Sequence, residues 1–251
     1  MTGAERIIEL LEAGETFCAA TVVSSGRSDV AAGARAVITP GGSVEAGGWP
    51  DDAKAALRVP ALEALARERS YTAETAPGVL VFFDALRPAA RLLICGAGHI
   101  AVPLARFAAA AGFDVTVLDD RPGFASRERF PGCEVIAGYF RAELRAMRLG
   151  RATYAVVITR GHAHDAECLQ EILRKETAYA GMIGSRRRVG FVLKTLKKKG
   201  IPPARLADVF TPIGIPTGGE SPEEIALSIA AELVCVRRRG AYAARALRDA
   251  V

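Results

Sequence analysis

From Arg91 onward the hydrophobic positions follow two alternating spacings. Nearly unbroken apolar runs such as "LLIC" at 92–95, "VTVL" at 115–118 and "YAVVI" at 154–158 are separated by stretches in which apolar residues recur every three or four positions. Short continuous runs suit strands buried on both faces, and the intervening period suits amphipathic helices. The pattern predicts strands near 91–95, 114–119, 133–136, 154–159, 179–183 and 206–210, with helices near 98–111, 140–148, 164–176, 186–199 and 222–238. Regular alternation of this kind builds a doubly wound α/β domain on a parallel sheet. The last helix carries the clearest start signal, with Ser221 as N-cap, Pro222 at the first helical position and Glu224 closing a capping box.

The first 88 residues read differently. A short amphipathic helix at 5–13 precedes a β-branched run at 16–25, two strands flank the turn at Pro40, Gly41 and Gly42, a helix spans about 51–69 with Leu57, Leu62 and Leu65 on one side, and "PGVLVFFDAL" at 77–86 suggests a buried strand. Pro88-Ala89-Ala90 is the natural linker. The expectation is therefore a small N-terminal α/β domain over 1–88 and a larger doubly wound domain over 89–251.

The chemistry gathers where the second domain's strands end. Gly96, Gly98 and Ala101 form G-x-G-x-x-A between an apolar strand and a helix. In that context the first glycine permits a tight turn, the second lets a phosphate approach the backbone, and the small third residue lets helix pack on strand. This makes a Rossmann-like fold the expectation, with Asp119 at the end of the next strand in the place of a ribose acceptor and Arg121 just beyond it. His99 follows the second glycine, where it either meets a ligand or lies idle at a helix start. "ITRGHAHD" brings Arg160, His162, His164 and Asp165 to the same edge of the sheet. Asp165 also has a plain reading as a helix-start carboxylate. A tightly held metal is not expected, because the H-x-H-D spacing is not that of a helical zinc motif and His99 is the only other histidine. "GMIGSRRR" places Gly184 and Ser185 before Arg186, Arg187 and Arg188, and three cations at a helix N-terminus oppose its dipole unless an anionic ligand is there to meet them. The loop "TPIGIP" at 211–216 is read as a segment that closes over this edge.

Composition narrows the classes. Half of the 251 residues are hydrophobic and 24% charged, as in an ordinary globular protein, and no apolar run approaches the ~18 residues of a membrane span. The acidic residues of "MTGAERIIELLEAGE" do not suit a signal peptide, so a cytoplasmic chain is expected. The cysteines, Cys18, Cys95, Cys133, Cys168 and Cys235, are scattered and form no C-x-x-C pair, which argues against a disulfide framework or a zinc knuckle. The formal charge of +5 is concentrated in 185–200 and 235–248. With little aromatic interleaving, these stretches do not suit nucleic acid.

Together, "GAGHIA", "VLDDRPGF", "ITRGHAHD", "GMIGSRRR", "TPIG" and "SPEEIALSIAAELV", in order over about residues 91–238, resemble the XdhC/CoxI family, accessory proteins of molybdenum hydroxylases such as xanthine dehydrogenase and carbon monoxide dehydrogenase. The resemblance implies a homodimeric maturation factor that binds molybdenum cofactor (molybdopterin), helps secure its terminal sulfur with a cysteine desulfurase-type sulfurtransferase, and hands it to an apo molybdenum hydroxylase subunit. On this view Gly96, Gly98, His99, Ala101, Asp119, Arg121, Arg160, His162, His164, Asp165, Gly184, Ser185, Arg186 and Arg187 bind cofactor, and none is catalytic or metal-ligating. Relatives carry G-S-x-S-G-G-C-L-E in the N-terminal part, whereas "GSVEAGGWPDD" here puts Trp49 in place of the cysteine, leaving Cys95 and Cys18 as substitutes for any sulfur handling. Two rival readings use the same turn. One is an NAD(P)-dependent oxidoreductase with Asp119 on the ribose and His162 as proton donor, and the other is a nucleotide-sensing regulatory module.

Overall fold

A computed structural model of the chain describes residues 3–249 and divides into two compact units, Met1–Pro88 and Ala89–Val251. In the first, α1 (Gly3–Ala13), β1 (Phe17–Ser25), β2 (Arg35–Ile38), β3 (Val44–Glu45), α2 (Asp51–Arg67), β4 (Tyr71–Ala76) and β5 (Val79–Leu86) follow in sequence. The strands form an antiparallel sheet in the order β3-β2-β1-β5-β4. Leu57, Ala61 and Leu65 of α2 pack on Cys18, Ala20, Val22, Val81 and Phe83, and the indole of Trp49 lies in the same core. β5 is only half buried, contrary to the expectation for 77–86. Val79, Val81 and Phe83 face α2, while Leu80 and Phe82 point outward. An antiparallel sheet with a helix on one face produces this alternation. The sequence pattern gives no sign of β4, which pairs with β5, because "YTAETA" has too few apolar residues to stand out from loop.

The second unit contains β6 (Arg91–Cys95), α3 (Ala101–Ala110), β7 (Asp114–Asp119), β8 (Glu134–Ala137), α4 (Phe140–Ala146), β9 (Thr153–Val157), α5 (His162–Leu173), β10 (Tyr179–Met182), α6 (Arg186–Lys198), α7 (Pro203–Ala207) and α8 (Pro222–Asp249). Its five strands are parallel in the order β10-β9-β6-β7-β8. Leu92, Ile94, Val117 and Val156 meet Leu104 of α3 and Ile229 and Leu233 of α8 on one face. Leu93, Leu118, Ala155 and Val157 meet Leu144 of α4, Leu169 and Ile172 of α5 and Val192 and Leu196 of α6 on the other. Both faces are covered, so the central strands lack polar alternation.

Two details differ from the sequence reading. Residues 206–210 do not form a strand, since 203–207 are helical and only Phe210 bridges to Gly181. α8 runs past 238 to Asp249, broken at Gly240, whose φ of 82° is not helical. The capping box at its start is formed: Glu224 N–H donates to Ser221 Oγ at 3.2 Å, and Ser221 N–H donates to the Glu224 carboxylate at 3.0 Å.

Candidate functional site

The chain leaves β6 and turns one way through α3 to β7, while β9 lies on the other side of β6. This reversal opens a crevice beyond the carboxyl ends of β6 and β9, the usual ligand position in such sheets. Gly96 sits at its floor with φ +112°, and a Cβ there would lie 2.6 Å from the carbonyl oxygen of Ile158. Only glycine fits that approach of the two strand ends. Gly98, two residues on, has no atom within 4 Å of where a Cβ would be, so its missing side chain opens space above the turn. Ala101, fully buried, lets α3 pack close to the sheet.

A pocket of about 450 Å³ occupies the crevice, walled by Gly98, His99 and Ile100, by Ile158 and Thr159, by Ile183, Gly184 and Arg188, and by Glu220, Pro222 and Ile225. The starts of α3, α6 and α8 therefore converge on one cavity. First-turn N–H groups have no partner within their own helix and carry the positive end of its dipole; in α6 and α8 the N-cap side chains of Ser185 and Ser221 already accept from Arg188 N–H and Glu224 N–H.

Arg188 is the cation that the fold aims into the pocket. Its Nε donates to Asp165 at 2.6 Å and its Nη2 to the carbonyl oxygen of Thr159 at 2.9 Å, leaving Nη1 without a bond to any described residue. Asp165 is fully buried and also accepts from Thr159 Oγ1 at 2.6 Å. Burial pushes its carboxyl above the ordinary value against the pull of Thr159 and Arg188. Asp165 is thus a brace for the guanidinium rather than a ligand contact. Arg186 and Arg187, expected as ligand residues, are exposed and outside the pocket wall, because a helical turn of 3.6 residues brings only one of the three arginines inward. Ser185 is spent as the α6 N-cap, accepting from Arg188 N–H at 3.3 Å.

Asp119 is also turned inward. With 1% of its surface exposed, it accepts from Ala97 N–H at 2.7 Å and from Arg121 Nε and Nη2, both at 2.8 Å. Burial alone would raise its carboxyl, but the Arg121 and Ala97 bonds hold it below the usual carboxylate range. Its oxygens hold the glycine turn, and this geometry leaves no ribose-facing oxygen. Arg121 in turn stacks on the Phe124 ring at 3.7 Å, and Arg129 donates to the carbonyls of Ala97 and Phe124 at 2.8 and 2.7 Å. Arg160 reaches Asp120 at 3.1 Å, and His164 lies 4.0 Å from the same carboxylate. Since β7 and β9 flank β6, this pair crosses the end of the central strand. His162 is exposed, and its ring contacts Phe191 at 5.9 Å rather than the pocket. The 211–216 loop does not close over the edge. Ile213 and Gly214 are buried, and Gly214 N–H donates to Glu232 at 3.1 Å. Among the described residues, no group of three or more His, Cys, Asp or Glu is arranged to hold a metal.

Fold and crevice together define a Rossmann-type module with a pocket at the switch point of its sheet. The model of the XdhC Rossmann domain matches residues 92–233, more than half of the chain, and the chain belongs to the XdhC family. It is 33% identical over 160 residues to a Bacillus subtilis protein described as a probable subunit of xanthine dehydrogenase, and 32% identical over 164 residues to the "Uncharacterized protein YqeB" of Escherichia coli, covering 63% and 64% of this chain. The aligned stretch spans only 46% and 30% of those relatives. A solved structure described as a xanthine dehydrogenase from Bacillus halodurans superposes with a TM-score of 0.62 at 26% identity, over 93% of this chain and 66% of that one.

Proposed function

We propose that this protein is an accessory factor of a molybdenum hydroxylase, holding molybdenum cofactor as cargo in the crevice and passing it to the apo-hydroxylase. The observation that carries the reading is the pairing of an open glycine turn with Arg188 Nη1 in a cavity bounded by three helix starts. A phosphate fits that end by backbone N–H groups and a charge-assisted contact. The apolar walls of Ile158, Ile183 and Ile225 suit the flat ring system at the other end. When bound, the cofactor supplies chemistry that is exercised in the hydroxylase. The chain's own residues bind and orient, since Asp165 is locked to Arg188 and His162 stands outside the wall.

The thiols bear on sulfur handling. Trp49 is a core residue, and Cys18 and Cys95 are fully buried. Burial, with the Asp84 charge beside it, pushes the Cys18 thiol up to about 12, so at neutral pH it is not a nucleophilic thiolate. Sulfur transfer on this reading belongs to the sulfurtransferase partner. The NAD(P) and nucleotide-sensor readings are weakened by Asp119, whose carboxylate is consumed within the fold.

The test is the small molecule that copurifies from a molybdenum-replete host. Acid iodine oxidation should release a fluorescent pterin. A bound nicotinamide or adenine nucleotide without pterin would overturn the reading, as would full hydroxylase activity in a strain lacking this protein.

A further inference from the structure

Among the described residues, Glu220 supplies the only carboxylate in the wall of the crevice. Its position is held from the backbone. Its N–H donates to the Glu224 carboxylate at 2.9 Å, within the capping box that also ties Ser221. The chain beside it presses so closely on α8 that a Cβ on Gly219 would lie 2.6 Å from Glu224 Cβ. The side chain itself is exposed and makes no hydrogen bond or ion pair with any described residue. The charge is not needed to complement the helix dipole, because Glu223 and Glu224 already stand in the first turn of α8. Nor does it serve Arg188, whose partners are Asp165 and Thr159.

A free carboxylate in a cavity built for an anion works against binding unless the ligand brings donors to it. A carboxylate offers two parallel acceptor oxygens, which match two adjacent N–H groups on a planar ring. Isoleucine walls beside it fit the faces of such a ring. We infer that Glu220 reads the amino-pyrimidinone edge of the bound heterocycle, pairing with its ring N–H and neighbouring exocyclic amine while the glycine turn takes the phosphate. The inference rests on the cofactor reading above and adds to it the residue that selects the ring. Adenine and nicotinamide lack this adjacent pair of donors, so the same carboxylate discriminates against them.

The experiment is a fluorescence titration of the full chain with pterin-6-carboxylate and with lumazine-6-carboxylate, in which oxygen replaces the 2-amino group, on the native protein, E220Q and E220D. The native protein should bind the pterin at least about tenfold more tightly than the lumazine. E220Q should bring the two within about twofold at an unchanged melting temperature, and E220D should fall between. A purely structural role would instead lower the melting temperature and weaken both ligands equally. Pterin bound without preference by the native protein, or a preference that survives E220Q, overturns the role of Glu220 and leaves the cofactor reading standing. Binding of neither pteridine overturns both.

Discussion

Two glycines of the turn, separated by one residue, should fail in opposite ways when given side chains. Gly96→Ala forces a non-glycine residue to φ +112° and drives its Cβ to 2.6 Å from the Ile158 carbonyl. The backbone conformation alone costs about 1–3 kcal/mol. The carbonyl belongs to the residue that follows β9, a strand paired on both sides that lets it retreat little, so a total of roughly 2–4 kcal/mol is expected. For a unit of this size that lowers the melting temperature by roughly 5–15 °C. Gly98→Leu has neither problem, because φ is not positive and the Cβ meets nothing within 4 Å. Its stability should stay within ~1 kcal/mol of native, while its side chain fills the space above the turn and lowers ligand affinity by roughly 5- to 150-fold through an overpacking cost of ~1–3 kcal/mol. Thermal melts followed by circular dichroism, paired with equilibrium dialysis of the copurifying ligand, measure both quantities. A Gly98→Leu protein that binds normally, or a Gly96→Ala protein that melts like the native one, would refute the account of the turn.

Further outcomes follow from the same geometry. Arg188→Gln should weaken ligand binding and reduce its salt dependence, losing about 1.5–3 kcal/mol of charge-assisted contact, whereas an Arg186→Gln, Arg187→Gln double variant should lose less, as isothermal titration at two salt concentrations would show. Because the Asp119 carboxyl lies below its ordinary value of 3.8 in the folded chain, its contribution to stability is present above that pH and lost as pH falls through the folded value. Asp119→Asn should therefore destabilise the protein at pH 7 and flatten the acid limb of its melting curve, and an acid limb identical to the native one would refute this. At neutral pH, iodoacetamide should spare the buried Cys18, Cys95 and Cys168 in the folded protein, and mass spectrometry showing native alkylation of Cys18 would contradict its burial.

The amino-acid sequence by itself determined the architecture of the second unit. Its buried parallel strands leave unbroken apolar runs and its helices leave a 3.6-residue period, both of which are local signals. The glycine turn was legible for the same reason, since Gly96 and Gly98 answer to backbone geometry within a few residues. Weak local signals failed: β4 is a polar edge strand made by pairing with β5, and Phe210 joins the sheet through a single bridge to Gly181. What only the tertiary structure decided is which polar side chains face the crevice. Asp119, Asp165 and the three arginines have the right identities in the right neighbourhoods, yet Asp119 is spent on Ala97 and Arg121, and Asp165 on Thr159 and Arg188. Thr159 and Ile183 line the pocket from within motifs that are read for their neighbours, and Glu220 lines it with no motif to announce it. Sequence spacing places a residue at the edge of a sheet, but the direction of a charged side chain is settled by partners many residues away, because a buried charge must be satisfied by whatever the fold brings beside it.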